Sequence, residues 1–201
     1  MKRGFTLIEV MVSSVIMVVL AASVLGLQYI LSNSQLSAFN SYTAVEEANS
    51  IISAITFELR SLQPADTGAY PLEVAGDNEI VFYSDVDYDG DVERVRYSLA
   101  GTQMLKGVVE PSGNPTTYDL GTERVILLSA HMDNTITNPV FLYFNGDWPA
   151  DTANNPLLGG SRISDTRLVR VTLNLRVESD IDADTFSLET HIAPRALKTN
   201  L

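Results

Sequence analysis

Met1-Lys2-Arg3-Gly4-Phe5-Thr6-Leu7-Ile8-Glu9-Val10 opens the chain, and from Phe5 to Leu31 Glu9 is the only charged residue. An apolar run of about 27 residues is long enough to span a bilayer with some tilt. A secretory signal has a shorter apolar core without an acid near its start, and ends in a small-residue cleavage site. Ala21-Ala22-Ser23 offers such a site only by force. Lys2 and Arg3 are the only basic residues before Arg60, which places the N-terminus on the cytoplasmic side and the rest of the chain outside. Glu9 then sits at membrane depth, where an unpartnered ionisable group costs at least a few kcal/mol. A partner is therefore expected for it.

No proline occurs before Pro64, so nothing forces the helix to stop at the bilayer. After Ser32-Asn33-Ser34-Gln35, Tyr42, Val45, Ala48, Ile52, Ile55, Leu59 and Leu62 recur in steps of three and four, which predicts one apolar stripe. Glu46, Glu47, Asn49 and Glu58 fall off it. A single helix from Phe5 to about Leu62 would measure about 85 Å, and Gln63-Pro64 ends it. The expected division is a leader over 1–4, an apolar helix over 5–31, its amphipathic continuation over 32–63 and a head domain over 64–201.

Beyond Pro64 the period changes from helical to alternating. Glu79–Ser84, Val92–Leu99, Met104–Val109, Val125–Leu128 and Val140–Phe144 read as strands. The clearest is Val169, Val171, Leu173, Leu175 and Val177, interleaved with Arg170, Thr172, Asn174 and Arg176. Phe186, Leu188 and Thr190 suggest its hairpin partner. Short links favour antiparallel pairing. The expected fold class is α+β, a long helix laid on an antiparallel sheet. Two longer connections, 110–122 and 145–166, are rich in Gly, Pro, Asn and Asp.

The chain has 201 residues, of which 45% are hydrophobic, and no cysteine, so disulfides and thiolate metal sites are excluded. With 13 basic and 25 acidic residues the net charge is −12, which repels phosphate backbones, so no nucleic-acid partner is expected. Arg162, Arg167, Arg170 and Arg176 form a local basic cluster, read first as a solvated strand face. His131 and His191 stand in no metal-ligand spacing, and no phosphate loop, nucleophile elbow or zinc motif occurs. An enzyme is not expected. Trp148 reads as a subunit contact or as a cap on the core.

Asp85-Val86-Asp87-Tyr88-Asp89-Gly90-Asp91-Val92-Glu93 carries acids at alternate positions with glycine sixth, as in the first half of an EF-hand calcium loop. Its twelfth position is Arg96 and its flanks are strands. Two readings stand: a hairpin turn, where Asp and Gly tolerate the geometry, and a calcium site formed by Asp85, Asp87, Asp89 and Asp91. Asp180, Asp182 and Asp184 lack the glycine and read as a solvated turn.

Gly4-Phe5-Thr6-Leu7-Ile8-Glu9 resembles the class III signal of type IV pilins and type II secretion pseudopilins. That resemblance implies cleavage after Gly4 by a prepilin peptidase, N-methylation of Phe5, and pairing of Glu9 with the terminal amine of a neighbouring subunit. It also implies residence in the inner membrane followed by assembly with other pilin subunits. Gly26 stands where major pilins commonly carry proline. Ile80–Tyr97 and the strand ending His191-Ile192-Ala193-Pro194-Arg195 are similar to PilW-type minor pilins, and equally to J-type pseudopilins. The expected function is a minor pilin that primes or caps a type IV pilus. The alternatives are a J-type minor pseudopilin, a membrane-anchored binding module that keeps its N-terminus, and a secreted enzyme released after Ser23.

Overall fold

The structure, a computed structural model, describes residues 4, 6–177 and 184–197. The leader residues Met1, Lys2 and Arg3, together with Phe5, Asp180 and Asp182, lie outside the described residues. Helix α1 spans Leu7–Arg60 without a break. Thr6 caps it in extended conformation, and at the other end the Ser61 N–H donates to the Phe57 carbonyl before Gln63-Pro64 turns the chain away. It ends two residues short of the expected Leu62.

α1 has two unlike halves. From Leu7 to Leu31 every side chain is exposed, and the first buried residue is Ala44. The hydroxyls in this half turn back onto the helix, Ser13 onto the Glu9 carbonyl (2.7 Å), Ser14 onto Met11 (2.8 Å) and Ser23 onto Val19 (2.8 Å). They leave few donors seeking a partner outside the helix.

The buried line of the second half is Ala44, Ala48, Ile51, Ile55, Glu58 and Leu59. It keeps Ala48, Ile55 and Leu59 of the predicted stripe and departs from it elsewhere along the helix: Tyr42 is exposed, Val45 and Ile52 flank the contact, and Glu58 is inside.

The head holds two main antiparallel sheets where one was expected. The first runs in the order β1-β2-β3-β4-β7, built from Leu72–Ala75 (β1), Glu79–Ser84 (β2), Glu93–Ala100 (β3), Gln103–Val109 (β4) and Arg124–Ser129 (β7). Between β4 and β7, within the predicted 110–122 connection, Pro111–Ser112 (β5) and Thr117–Tyr118 (β6) pair as a small ribbon. The second sheet has the order β10-β9-β8, from Phe141–Phe144 (β8), Leu168–Val177 (β9) and Asp184–Ile192 (β10). The short helix α2 (Arg162–Asp165) lies in the other predicted connection.

Strands β9 and β10 pair as the alternation required, with Phe186 opposite Leu175, Leu188 opposite Leu173 and Thr190 opposite Val171. The outward-facing Thr172 and Asn174 are nevertheless buried. Segment 131–140 runs along this strand and covers them: the Asn174 N–H donates to Asn134 Oδ1 (2.9 Å), and the Asn134 amide donates to the Thr172 carbonyl (2.9 Å). Helix α1 packs chiefly on β9 and β10 and shares one core with both sheets, including Phe82, Tyr97, Phe141, Tyr143, Leu173 and Ile192.

One glycine in the first sheet is demanded by a close approach. Arg96 on β3 grips Glu123 through two bonds of 2.7 Å, and the Glu123 carboxylate lies on the backbone at Gly107, where an added Cβ would collide with it. Gly107→Ala is therefore expected to lose about 1–3 kcal/mol by overpacking, measured by urea denaturation. Glu123→Ala in the same chain should remove the clash and abolish most of the further loss due to Gly107→Ala; a full loss on that background would mean the glycine acts through the backbone alone.

Candidate functional site

Two places carry the functional expectations, the β2–β3 loop and the start of α1. In the loop, aspartate side chains cap backbone N–H groups. Asp85 Oδ1 accepts from Tyr88 (2.6 Å), Asp87 Oδ1 from Asp89 (3.3 Å) and Asp89 Oδ1 from Asp91 (2.9 Å). Tyr88 adopts a positive φ of 65° and Gly90 one of 99°, which turns the chain through the loop. The Tyr88 ring meets Phe57 on α1 edge-on at 6.0 Å.

Of the predicted four acids, three converge. One carboxylate oxygen each from Asp85, Asp87, Asp89 and Glu93 lies within 4.8 Å of the others. Asp91 is not in this group, and Glu93 stands in its place. Glu93 shares the inward parity of Val95 and Tyr97 on β3, and its side chain is fully buried. That parity, and its position ninth in the loop, are the sequence signals that point to it. Glu93 Oε2 accepts from the Val86 N–H at 2.6 Å, while Oε1 has no hydrogen-bond partner among the described residues. Burial pushes the Glu93 carboxyl up to about 7, against the lowering effect of the Val86 bond. Arg96, at the loop's twelfth position, is engaged by Glu123 instead.

The remaining candidates have structural partners. Arg162 pairs with Asp77 at 2.7 Å, Arg170 with Glu189 at 3.7 Å and Arg176 with Asp133 at 2.8 Å, and Arg167 donates to the carbonyls of Ser164 and Thr166. Trp148 is half-buried with its ring 4.7 Å from that of Phe144, as a cap on the core edge. His131 faces Glu47 of α1 at 3.8 Å, and His191 stands beside Glu189 at 3.9 Å.

At the start of α1, Thr6 and Glu9 form a reciprocal capping box. The Thr6 hydroxyl accepts from the Glu9 N–H (3.4 Å), and Glu9 Oε2 accepts from the Thr6 N–H (3.2 Å). The Thr-x-x-Glu spacing is thus a helix-start signature as well as part of a signal. Glu9 is exposed, and its carboxylate bonds locally to Thr6. Gly4 is exposed, and an added Cβ there would meet nothing within 4 Å among the described residues.

One resemblance falls at this end. The family description "prokaryotic N-terminal methylation motif" matches residues 1–25. No curated protein matches the chain. The matched segment contains Gly4, the capping box and most of the exposed apolar run. Beyond it α1 continues to Arg60 and packs on antiparallel sheets. In its class III signal and in this architecture, the chain is similar to type IV pilin-like proteins.

Proposed function

We propose that this protein is a minor pilin, cut after Gly4 by a prepilin peptidase, N-methylated on Phe5, and assembled into a type IV pilus through α1. One observation carries the reading: α1 from Leu7 to Leu31, about 37 Å of helix, buries no residue against its own head. A surface of Leu, Ile, Val and Met that large is stable only in lipid or against other apolar helices. The membrane supplies the first cover, with the head outside, and neighbouring subunits supply the second. The protein's role is then structural. Gly4 adds support. The fold leaves room for a side chain there, so its glycine answers to an enzyme that must close on the backbone.

The mature protein is expected to begin at N-methyl-Phe5, read by mass spectrometry of the N-terminus. An intact Met1, as for an anchored binding module, or a start near Val24, as for a secreted enzyme, overturns the proposal. Gly4→Arg is expected to abolish cutting while leaving membrane insertion unchanged, because the leader stays basic. Co-purifying subunits then assign the filament, pilus or secretion pseudopilus.

A further inference from the structure

We propose that the β2–β3 loop is a Ca²⁺ site whose protein ligands are Asp85, Asp87, Asp89 and Glu93. The inference does not rest on the filament reading. Three exposed or half-exposed aspartates in a loop are not in themselves a site, since a hairpin turn tolerates them. What distinguishes this loop is Glu93. Its carboxylate is fully buried at the root of β3, one oxygen is held by Val86 and the other finds no donor among the described residues. Buried polar oxygens without a partner are rare, and a buried carboxylate without a cation is costly. The orphaned side chain belongs to the group whose oxygens converge within 4.8 Å, so a cation in that space would meet Glu93 from the core side and the three aspartates from the solvent side.

The donor set selects the ion. All four ligands are carboxylates, with neither imidazole nor thiolate, which suits a hard cation. Opposite oxygens across Ca²⁺ stand about 4.6–5.2 Å apart, twice its bond length, and those across Mg²⁺ about 4.2 Å. The oxygens lie within 4.8 Å of one another, a spread that the Ca²⁺ sphere accommodates. Each of Asp85, Asp87 and Asp89 uses Oδ1 as a backbone cap, leaving its Oδ2 for the metal, and water completes the six to eight positions. The charge count, four carboxylates on a loop open to solvent, resembles extracellular modules that bind at about 10⁻⁴–10⁻³ M.

Such an ion would fasten more than the loop. The Tyr88 ring rests on Phe57 near the end of α1. The Val92 N–H donates to Asp66 at 3.0 Å just past that helix, and the Val92 carbonyl accepts from Tyr118 at 2.6 Å. The loop is thus the joint where α1, the first sheet and the β5–β6 ribbon meet, and occupancy would tighten all three.

The full chain in detergent is the material for the test. Saturating CaCl₂ is expected to raise its melting temperature by about 5 °C or more, reversed by chelator. Tb³⁺, a luminescent Ca²⁺ substitute, should be sensitised by Tyr88 and displaced by CaCl₂. Asp87→Asn with Asp89→Asn keeps the side-chain oxygens that cap the loop, and should melt like the wild type without metal yet lose the CaCl₂ shift. Glu93→Gln keeps an acceptor for Val86 and buries a neutral group, so it should melt at or above the wild type without metal and also lose the shift. A wild-type chain that ignores CaCl₂, an equal shift with MgCl₂, or a full shift retained by the double aspartate variant would each overturn the site.

Discussion

Glu9→Val is expected to insert and be cut like the wild type, yet to be recruited into filaments orders of magnitude less well. Removing the charge makes the span more apolar, so insertion does not suffer. The head lies far along α1, whose first buried residue is Ala44, and its fold is indifferent to residue 9. What the substitution removes is the carboxylate that, in the proposed filament, meets the terminal amine of a neighbour. An amine left unpaired at membrane depth is destabilising by about 3–5 kcal/mol. The capping box offers a competing account, since Glu9→Val also deletes a bond to the Thr6 N–H worth about 1 kcal/mol. Glu9→Gln separates the two, because glutamine serves in a capping box but carries no charge. Co-purification with the other pilus subunits, at matched membrane levels and cleavage, is the measurement. Glu9→Gln should be excluded almost as strongly as Glu9→Val; wild-type incorporation of Glu9→Gln would reduce Glu9 to a helix cap.

Glu58→Ala is expected to destabilise the head by about 3–5 kcal/mol, the largest loss from a single truncation in the polar interior. Glu58 is the one charged residue on the buried line of α1. Its Oε1 lies 2.5 Å from Lys106 Nζ on β4, and its Oε2 accepts from the Tyr97 hydroxyl on β3 at 2.8 Å. All three groups are sheltered from water, and burial together with the facing carboxylate raises the Tyr97 phenol above its ordinary range. Truncation strands a cation and a hydroxyl inside, and each carries a desolvation penalty without its bond. Glu58→Gln keeps an acceptor for Tyr97 and should cost less. Glu58→Leu with Lys106→Met, which removes both charges, should recover most of the stability. Urea denaturation of the four chains decides it, and a loss below about 1 kcal/mol in Glu58→Ala would show the trio to be mere packing.

The helix and most strands are legible from periodicity, and the places where periodicity misleads share a cause. β9 alternates strictly, so its register with β10 follows from Phe186, Leu188 and Thr190. The stripe on α1 is displaced because Ile51 and Ile52 are adjacent and equally apolar. Periodicity cannot choose between them, whereas the packing against the sheets buries Ile51 and leaves Ile52 half-buried. Glu58 reads as solvent-facing by its charge although it stands three residues after Ile55 and four before Leu62, in line with both. Glu93 is hidden in the same way, its parity with Val95 and Tyr97 outweighed by its type. Charge outvotes position in both cases, although Glu58 is held inside by Lys106 and Tyr97 and Glu93 by the Val86 N–H. The split into two sheets leaves no local mark, since strand length and alternation do not say which strands share an edge. The start of α1 is the most legible part because there the spacing, the leader charge and the apolar run all agree.

The unbroken course of α1 also fixes the azimuth of the head. A helix turns 100° and rises 1.5 Å per residue, and between Ser32 and Thr43 the chain has neither a proline nor a glycine at which to slip. The apolar half and the head are therefore two marks on one rigid screw. Losing one residue from that stretch would swing the head by about 100° about the helix axis, while adding seven would return it to within about 20° of its bearing and lift it about 10 Å. The direction in which each head faces is thus set by a count of residues and not by any contact of its own.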